Sequence, residues 1–337
     1  MRDILSLLPQ EIETWCTEKA LPKYRAKQVW EWLHVRHATT FSDMNNIPKA
    51  MKVMLGEDFV IATVGERAKR VSKNDGTVKY LFELVDGNLI ESVVMDYHHG
   101  RTICVSTQVG CRMGCKFCAS AEGGLVRNLT PGEMCAQVYA AVGDKPIRGI
   151  VLMGCGEPLD NMAAVLTFLK IISHDQGLNI GMRHITLSTC GLVPEILALA
   201  AEKLQITLAI SLHATTDEKR AALMPIANRY TLEALIEASR VYVAKTGRRV
   251  TFEYALVKGA NDGVGDARAL IKLLRGINCH VNLIPVNKGR GGHSPTGQKE
   301  VKAFADMLVK AGVQATVRRS LGQDVDGACG QLRANHM

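Results

Sequence analysis

The sequence predicts an α/β fold, and two observations carry that prediction. Between residues 101 and 318, apolar strand-like runs alternate with helix-like stretches six times. Alternation of this kind builds a parallel sheet, because each strand must return across the sheet through a helix. A further observation sets the first hundred residues apart, with helical periodicity giving way to period-two alternation. The predicted organisation is a small N-terminal helical accessory domain over 1–55, a β-hairpin or linker over 56–100, and the α/β domain over 101–337.

Residues 1–48 read as helices interrupted by Pro9, Pro22 and Pro48. Trp15, Trp30, Trp32 and Leu33 are spaced like the apolar face of a small bundle, and Lys23, Arg25, Lys27, Arg36 and His37 decorate it. Those cations are either a solvated face or a contact for a polyanion. Strands are expected at 60–64, 78–85 and 89–95, with Asn74-Asp75-Gly76 and Asp86-Gly87-Asn88 as turns between them. In the α/β domain, strands are expected at 102–107, 149–153, 184–188, 206–212, 250–255 and 281–285. The helices fall at 131–142, 162–173, 193–203, 232–246, 265–275 and 298–311, and a last strand at 313–318. A flat doubly wound sheet and a rolled one give the same string. In either, chemistry belongs beyond the C-terminal strand ends, and the candidate motifs sit there.

Composition narrows the class. Hydrophobic residues make up 47% and charged residues 22%, an ordinary globular balance without a membrane-length apolar run. The N-terminus lacks a secretory pattern, and ten cysteines without a regular framework argue against a disulfide scaffold. A reducing cytoplasmic location is expected, with no membrane partner. The net charge of +8 favours a polyanionic partner such as nucleic acid.

The chemistry centres on Cys111, Cys115 and Cys118, a C-x3-C-x2-C loop just after the first strand of the α/β domain. Three thiolates in eight residues need a positive centre. Zinc would want a fourth protein ligand, whereas three thiolates on an iron–sulfur cluster leave one iron open. Gly154-Cys155-Gly156-Glu157-Pro158 follows the second of these strands. Cys16, Cys135, Cys190 and Cys279 read as core or incidental, and His98-His99 as a solvated turn. By themselves Cys104 and Cys329 would be read as small hydrophobes, and Glu91 as a surface strand residue.

Several co-linear stretches resemble the RlmN/Cfr family of radical S-adenosylmethionine RNA methyltransferases. Besides the cysteine loop and the GCGEP turn, they are RTICVSTQVG at 101–110, RNLTPG at 127–132, Ser211–His213, LMPIANRY at 223–230 and DVDGACGQL at 324–332. The resemblance implies a partial (β/α)6 radical SAM barrel, and it assigns Cys111, Cys115 and Cys118 to a [4Fe-4S] cluster. It gives Gly156, Glu157, Ser188, Ser211, Leu212, His213 and Asn287 to S-adenosylmethionine. It makes Cys329 the carrier of an S-methyl intermediate, Cys104 the thiol that resolves a covalent protein–RNA adduct through a transient disulfide with Cys329, and Glu91 the proton acceptor. The implied substrate is an adenosine ring carbon, C2 rather than C8, in 23S rRNA and in tRNA, with flavodoxin or ferredoxin as electron donor. Cys155 replaces the family's usual methionine, and the stretch 287–296 is unusually glycine-rich. The competing readings are a paralogue acting on another RNA or position and a zinc-stabilised RNA-binding module. The latter leaves Glu157, Cys104 and Cys329 unexplained.

Overall fold

The computed structural model describes residues 1–98, 100–143, 145–285, 296–318 and 321–325. The chain opens with a two-residue strand β1 (Arg2–Asp3), then α1 (Pro9–Glu18), α2 (Tyr24–His34) and α3 (Lys49–Asp58), and β2 (Phe59–Val60) closes back on β1. Pro9 sits at the first helical position, where its missing N–H costs nothing. Trp15, Trp30 and Leu33 are buried between these helices, while Trp32 stays half-buried with Arg36 stacked on it. Trp30 Nε1 also donates to the Gln176 carbonyl (3.0 Å), and His34 meets the Tyr139 hydroxyl at 2.7 Å. The helical segment is thereby bonded to the sheet-bearing part of the chain.

An antiparallel ribbon follows: β3 (Gly65–Val71), β4 (Val78–Glu83), β5 (Leu89–Tyr97) and β6 (Gly100–Cys104). The run at 60–64 was expected as a strand, but pairing stops at Val60 and resumes at Gly65. β3 is an edge strand rich in Arg and Lys, a composition that blocks edge-to-edge association and hides the strand from an apolar-pattern search. The short pair β7 (Gln108–Gly110) and β8 (Leu125–Asn128) brackets the cysteine loop. Then come α4 (Pro131–Ala141), β9 (Ile147–Leu152), α5 (Met162–Ile172), β10 (Ile185–Thr189), α6 (Val193–Ala201) and β11 (Thr207–Ser211). The series finishes with α7 (Asp217–Leu223), α8 (Leu232–Thr246), β12 (Val250–Leu256), α9 (Val264–Leu273), β13 (Cys279–Pro285), α10 (Gln298–Lys310) and β14 (Gln314–Val317). The short helix α7 was not anticipated, although Thr216 caps it with a side-chain bond to the Lys219 N–H.

Among the described residues one ten-stranded sheet results, in the order β14-β13-β12-β11-β10-β9-β6-β5-β4-β3. From β6 to β14 the pairing is parallel. The sheet is curled, and chain length proves it. Arg318 N–H bonds the Leu283 carbonyl of β13, and four residues later Gly322 N–H bonds Asp75 in the β3–β4 turn. In a flat sheet β13 and β4 would lie about 34 Å apart, but four residues reach at most about 14 Å. The two sides of the sheet therefore approach one another as a partial barrel.

Curling gives the sheet two unlike faces. Outward-pointing Ile103, Ile150, Leu187, Ile210, Phe252 and Val281 are fully buried under the helices. Their chain neighbours point inward and, through the strand register, share one face: Lys79, Val93, Cys104, Val151 and Thr186, then Ser188, Ser211, Glu253, Asn282 and Thr316. That face is largely polar.

Candidate functional site

The cysteine loop is tied down at both ends. Cys111 N–H donates to the Gly124 carbonyl (2.9 Å), and Lys116 N–H to the Leu223 carbonyl at the end of α7 (3.0 Å). Gly110 holds φ +78°, and a Cβ there would meet the Gly124 carbonyl, so only glycine allows β7 to enter the loop this way. Cys111 is buried, and Cys115 and Cys118 are half-buried. Burial, followed by the charges of Cys118 and Glu157, pushes the thiols of Cys111 and Cys115 up to about 12. Such thiols become thiolates only against a strong cationic centre.

The GCGEP turn zips onto the strand extension that leads into this loop. Cys155 N–H donates to Ser106 Oγ (2.9 Å), and the Cys155 thiol donates to the Gly110 carbonyl (3.5 Å), one residue before Cys111. A Cβ on Gly154 would lie 2.7 Å from Ser106 N, and one on Gly156 2.6 Å from Gln108 Cβ. Both glycines are therefore required by close approach of two backbones. Cys155 is a small buried anchor for the cluster loop, which accounts for a side chain that sequence alone left unexplained. Glu157 is buried, with Oε1 accepting from Leu159 N–H (3.1 Å) and Oε2 from Cys190 N–H (2.8 Å). Desolvation raises its pKa, against those hydrogen bonds.

Ser188 and Ser211 are half-buried on the inner face at the C-terminal ends of β10 and β11, and Leu212 is fully buried. His213 adopts a positive φ of 56°, and its Nδ1 accepts from Ala255 N–H (3.0 Å). Burial, with Arg220 adding to it, lowers its pKa to about 3, so the ring is neutral and carries its proton on Nε2. Phe117 of the cysteine loop stands edge-on to this ring at 5.0 Å. Arg220 is fully buried behind it. Its Nη2 donates to the carbonyls of Cys190 (2.6 Å) and Ser211 (3.1 Å), and its Nε to that of Leu212 (3.3 Å). Nη1 has no hydrogen-bond partner among the described residues. Sequence reading missed Arg220 inside a charged helix, and it set aside Cys190, whose N–H and carbonyl both serve the site.

A second group lies on the inner face. Cys104 packs with Val93 and Met95, and Leu321 packs against them, eight residues before Cys329 in the sequence. Glu91 shares the inner face with Val93, one step diagonally from Cys104 in the β5–β6 register. It is buried, and its Oε2 lies 3.2 Å from Lys79 Nζ. Cys329 and Asn287 lie outside the described residues.

The three-cysteine loop fits an iron–sulfur cluster better than a single ion. Among the described residues no three His, Cys, Asp or Glu side chains close on one metal ion, a closure that one thiolate per iron does not need. The Arg220 guanidinium lies close enough to Cys115 for their charges to interact, and a carboxylate-bearing ligand would satisfy its orphaned Nη1.

This fold and site define a radical S-adenosylmethionine enzyme, and the radical SAM superfamily model matches residues 105–273. The model of the ribosomal RNA large subunit methyltransferase N-terminal domain matches residues 2–61. The chain is 52% identical to a probable dual-specificity RNA methyltransferase RlmN of Clostridium novyi, over 100% of this chain and 99% of that protein. It is 48% identical to the corresponding protein of Lachnospira eligens, over 100% and 97%. A crystal structure of a radical SAM methyltransferase from Sphaerobacter thermophilus superposes with a TM-score of 0.93 at 42% identity, covering 98% of this chain and 99% of that one. The chain belongs to the RlmN family of radical SAM RNA methyltransferases. Among the described residues no helix is long and apolar enough to cross a membrane.

Proposed function

We propose that the protein methylates carbon 2 of an adenosine in 23S rRNA, and of a tRNA adenosine, through a covalent intermediate on Cys329. The observation that carries this reading is the pairing of Cys104 and Glu91 on the inner face, beside the segment that leads to Cys329. An electron-poor ring carbon is no nucleophile, so polar methyl transfer cannot reach it. When bound at Cys111, Cys115 and Cys118, a [4Fe-4S] cluster with S-adenosylmethionine supplies a 5′-deoxyadenosyl radical. Glu157, Ser188, Ser211, Leu212, His213, Asn287 and the Gly156 backbone hold the cofactor.

Cys329 sulfur would take a methyl group from S-adenosylmethionine by displacement, the methyl–sulfonium bond breaking to leave the neutral thioether. Transfer of a hydrogen atom from that methyl to the 5′-deoxyadenosyl radical would leave a carbon radical that adds to the adenine ring. One electron would pass from the adduct to the iron–sulfur centre, and Glu91 takes the ring proton. Cys104 thiolate then attacks Cys329 sulfur. A sulfur–sulfur bond forms, the carbon–sulfur bond breaks, and its electron pair stays on the methylene, which is protonated to the product methyl. Flavodoxin or ferredoxin is the fitting electron donor. The net charge of +8 and the exposed Lys23, Lys27 and Arg36 on the helical segment suit an RNA backbone.

Mass spectrometry of Cys104→Ala protein from cells holding their native RNA tests this. An oligonucleotide on Cys329 supports the mechanism, and its sequence names the RNA. Unmodified Cys329 overturns the two-cysteine route.

A further inference from the structure

Of one charged pair on the inner face, Lys79 and Glu91, the lysine has no part in the mechanism above. Lys79 is fully buried within β4, in the otherwise apolar run Val78-Lys79-Tyr80-Leu81-Phe82. Its register partner is Val93, which is itself opposite Cys104, so Lys79, Val93 and Cys104 form one row across three strands. Glu91 stands one inward position further along β5, opposite Leu81, at 5% exposure and 3.2 Å from the Lys79 ammonium.

As a device for stability this pair is a poor choice. Two charges withdrawn from water repay their desolvation only with excellent geometry, and apolar replacement of both is often neutral or stabilising. Their neighbours Leu81 and Val93 show that apolar side chains fit this face. Loss of one partner alone is different, because it leaves a buried, uncompensated charge. A carboxylate that must meet one substrate proton, in contrast, gains from a fixed partner that holds its orientation.

We propose that Lys79 is the positioning residue that holds and aims the Glu91 carboxylate for removal of the ring proton. The inference rests on Glu91 being the proton acceptor of the proposed function. In the step concerned the ring carbon–hydrogen bond breaks, its electron pair returns to the ring, and the proton passes to Glu91. The Lys79 ammonium, 3.2 Å from Glu91 Oε2, holds the carboxyl group in place before and after transfer. Glu91 touches the substrate in this scheme; Lys79 acts only through Glu91.

Because adduct formation precedes proton removal, Lys79→Met should trap the covalent protein–RNA adduct although Cys104 is intact. Turnover should fall by about 10²-fold or more, the scale of a lost general base. Four variants are compared by denaturing gel and mass spectrometry of the RNA-bearing peptide, alongside iron content: Lys79→Met, Lys79→Arg, Glu91→Gln and Cys104→Ala. The expected result is adduct in Lys79→Met, Glu91→Gln and Cys104→Ala, with turnover largely restored in Lys79→Arg. The double variant Lys79→Met/Glu91→Gln removes both charges, guards against misfolding of the single one, and should trap no less adduct than Glu91→Gln. If Cys104→Ala and Glu91→Gln trap adduct but iron-loaded Lys79→Met does not, the role of Lys79 is overturned alone. A double variant that traps less adduct than Glu91→Gln shows a merely structural lysine and overturns it too. If none of the variants traps adduct, the covalent mechanism itself fails.

Discussion

Ile103 and Cys104 are adjacent in β6, yet they belong to different parts of the molecule's logic. Ile103 points out into a layer of Ile, Leu, Val and Phe that packs the helices against the sheet. Cys104 points in, to the face that also carries Lys79, Thr186, Ser188, Ser211, Glu253 and Asn282. Strand alternation thus lets one sheet carry two independent specifications, one for folding and one for chemistry. Substitutions on the two faces should separate cleanly, with outward changes costing stability and inward ones costing reaction.

The largest separation is expected from the loop beyond the inner face. Cys115→Ala should abolish methylation and strip iron from the protein, while its far-ultraviolet circular dichroism matches the iron-free wild type. A collapse of secondary structure would mean that the loop, too, specifies the fold. Phe252→Ala, at a fully buried outward position, should cost about 3–5 kcal/mol in urea unfolding. The molecules that remain folded should still load iron. Smaller again is Ser188→Ala, half-exposed on the inner face. Removal of one hydroxyl contact, worth about 0.5–1.5 kcal/mol, should weaken S-adenosylmethionine binding by about two- to tenfold in calorimetry. The urea midpoint should not move. A shifted midpoint with unchanged binding would reverse the assignment of that face.

The same division explains what could be read from the sequence. The outward residues repeat every second position in apolar runs, so the α/β string from 101 to 318 emerges almost element by element. The curl does not, because it depends on residues 318 and 322 bonding to opposite parts of the sheet. The cysteine loop is legible because its spacing is local. Glu91 and Cys104 carry no local signal, and their adjacency arises from an antiparallel register. Lys79, Arg220 and Glu253 were missed for a related reason. Lys79 and Glu253 are single charges inside apolar strands, and Arg220 looks like one more surface cation of α7. The usable sign was the charge that breaks an apolar strand, since a fully buried ion must have a partner. For Glu253 that partner is Asn282 Nδ2, at 2.8 Å across β12 and β13.

The smallest predicted effect concerns how the C-terminal segment is held over the inner face. Asp324 accepts from Ser72 Oγ (2.7 Å) and Lys73 N–H (2.9 Å), and Asp75 accepts from Gly322 N–H (2.8 Å). Desolvation works to raise the Asp75 pKa, but the hydrogen bonds from Gly322, Thr77 and Ser72 outweigh it and hold it at about 2, below the usual 3.8. A depressed pKa means that the docked state binds fewer protons than the released one. The stabilisation is therefore complete above about pH 4 and disappears as the pH falls through about 2. Asp75→Asn removes the titrating charge and should weaken protection of the Gly322 amide in hydrogen exchange by a few fold near pH 6. Wild type and variant should converge as the pH approaches 2. A difference that persists undiminished at low pH would show that the turn grips the segment by shape, with the Asp75 charge idle.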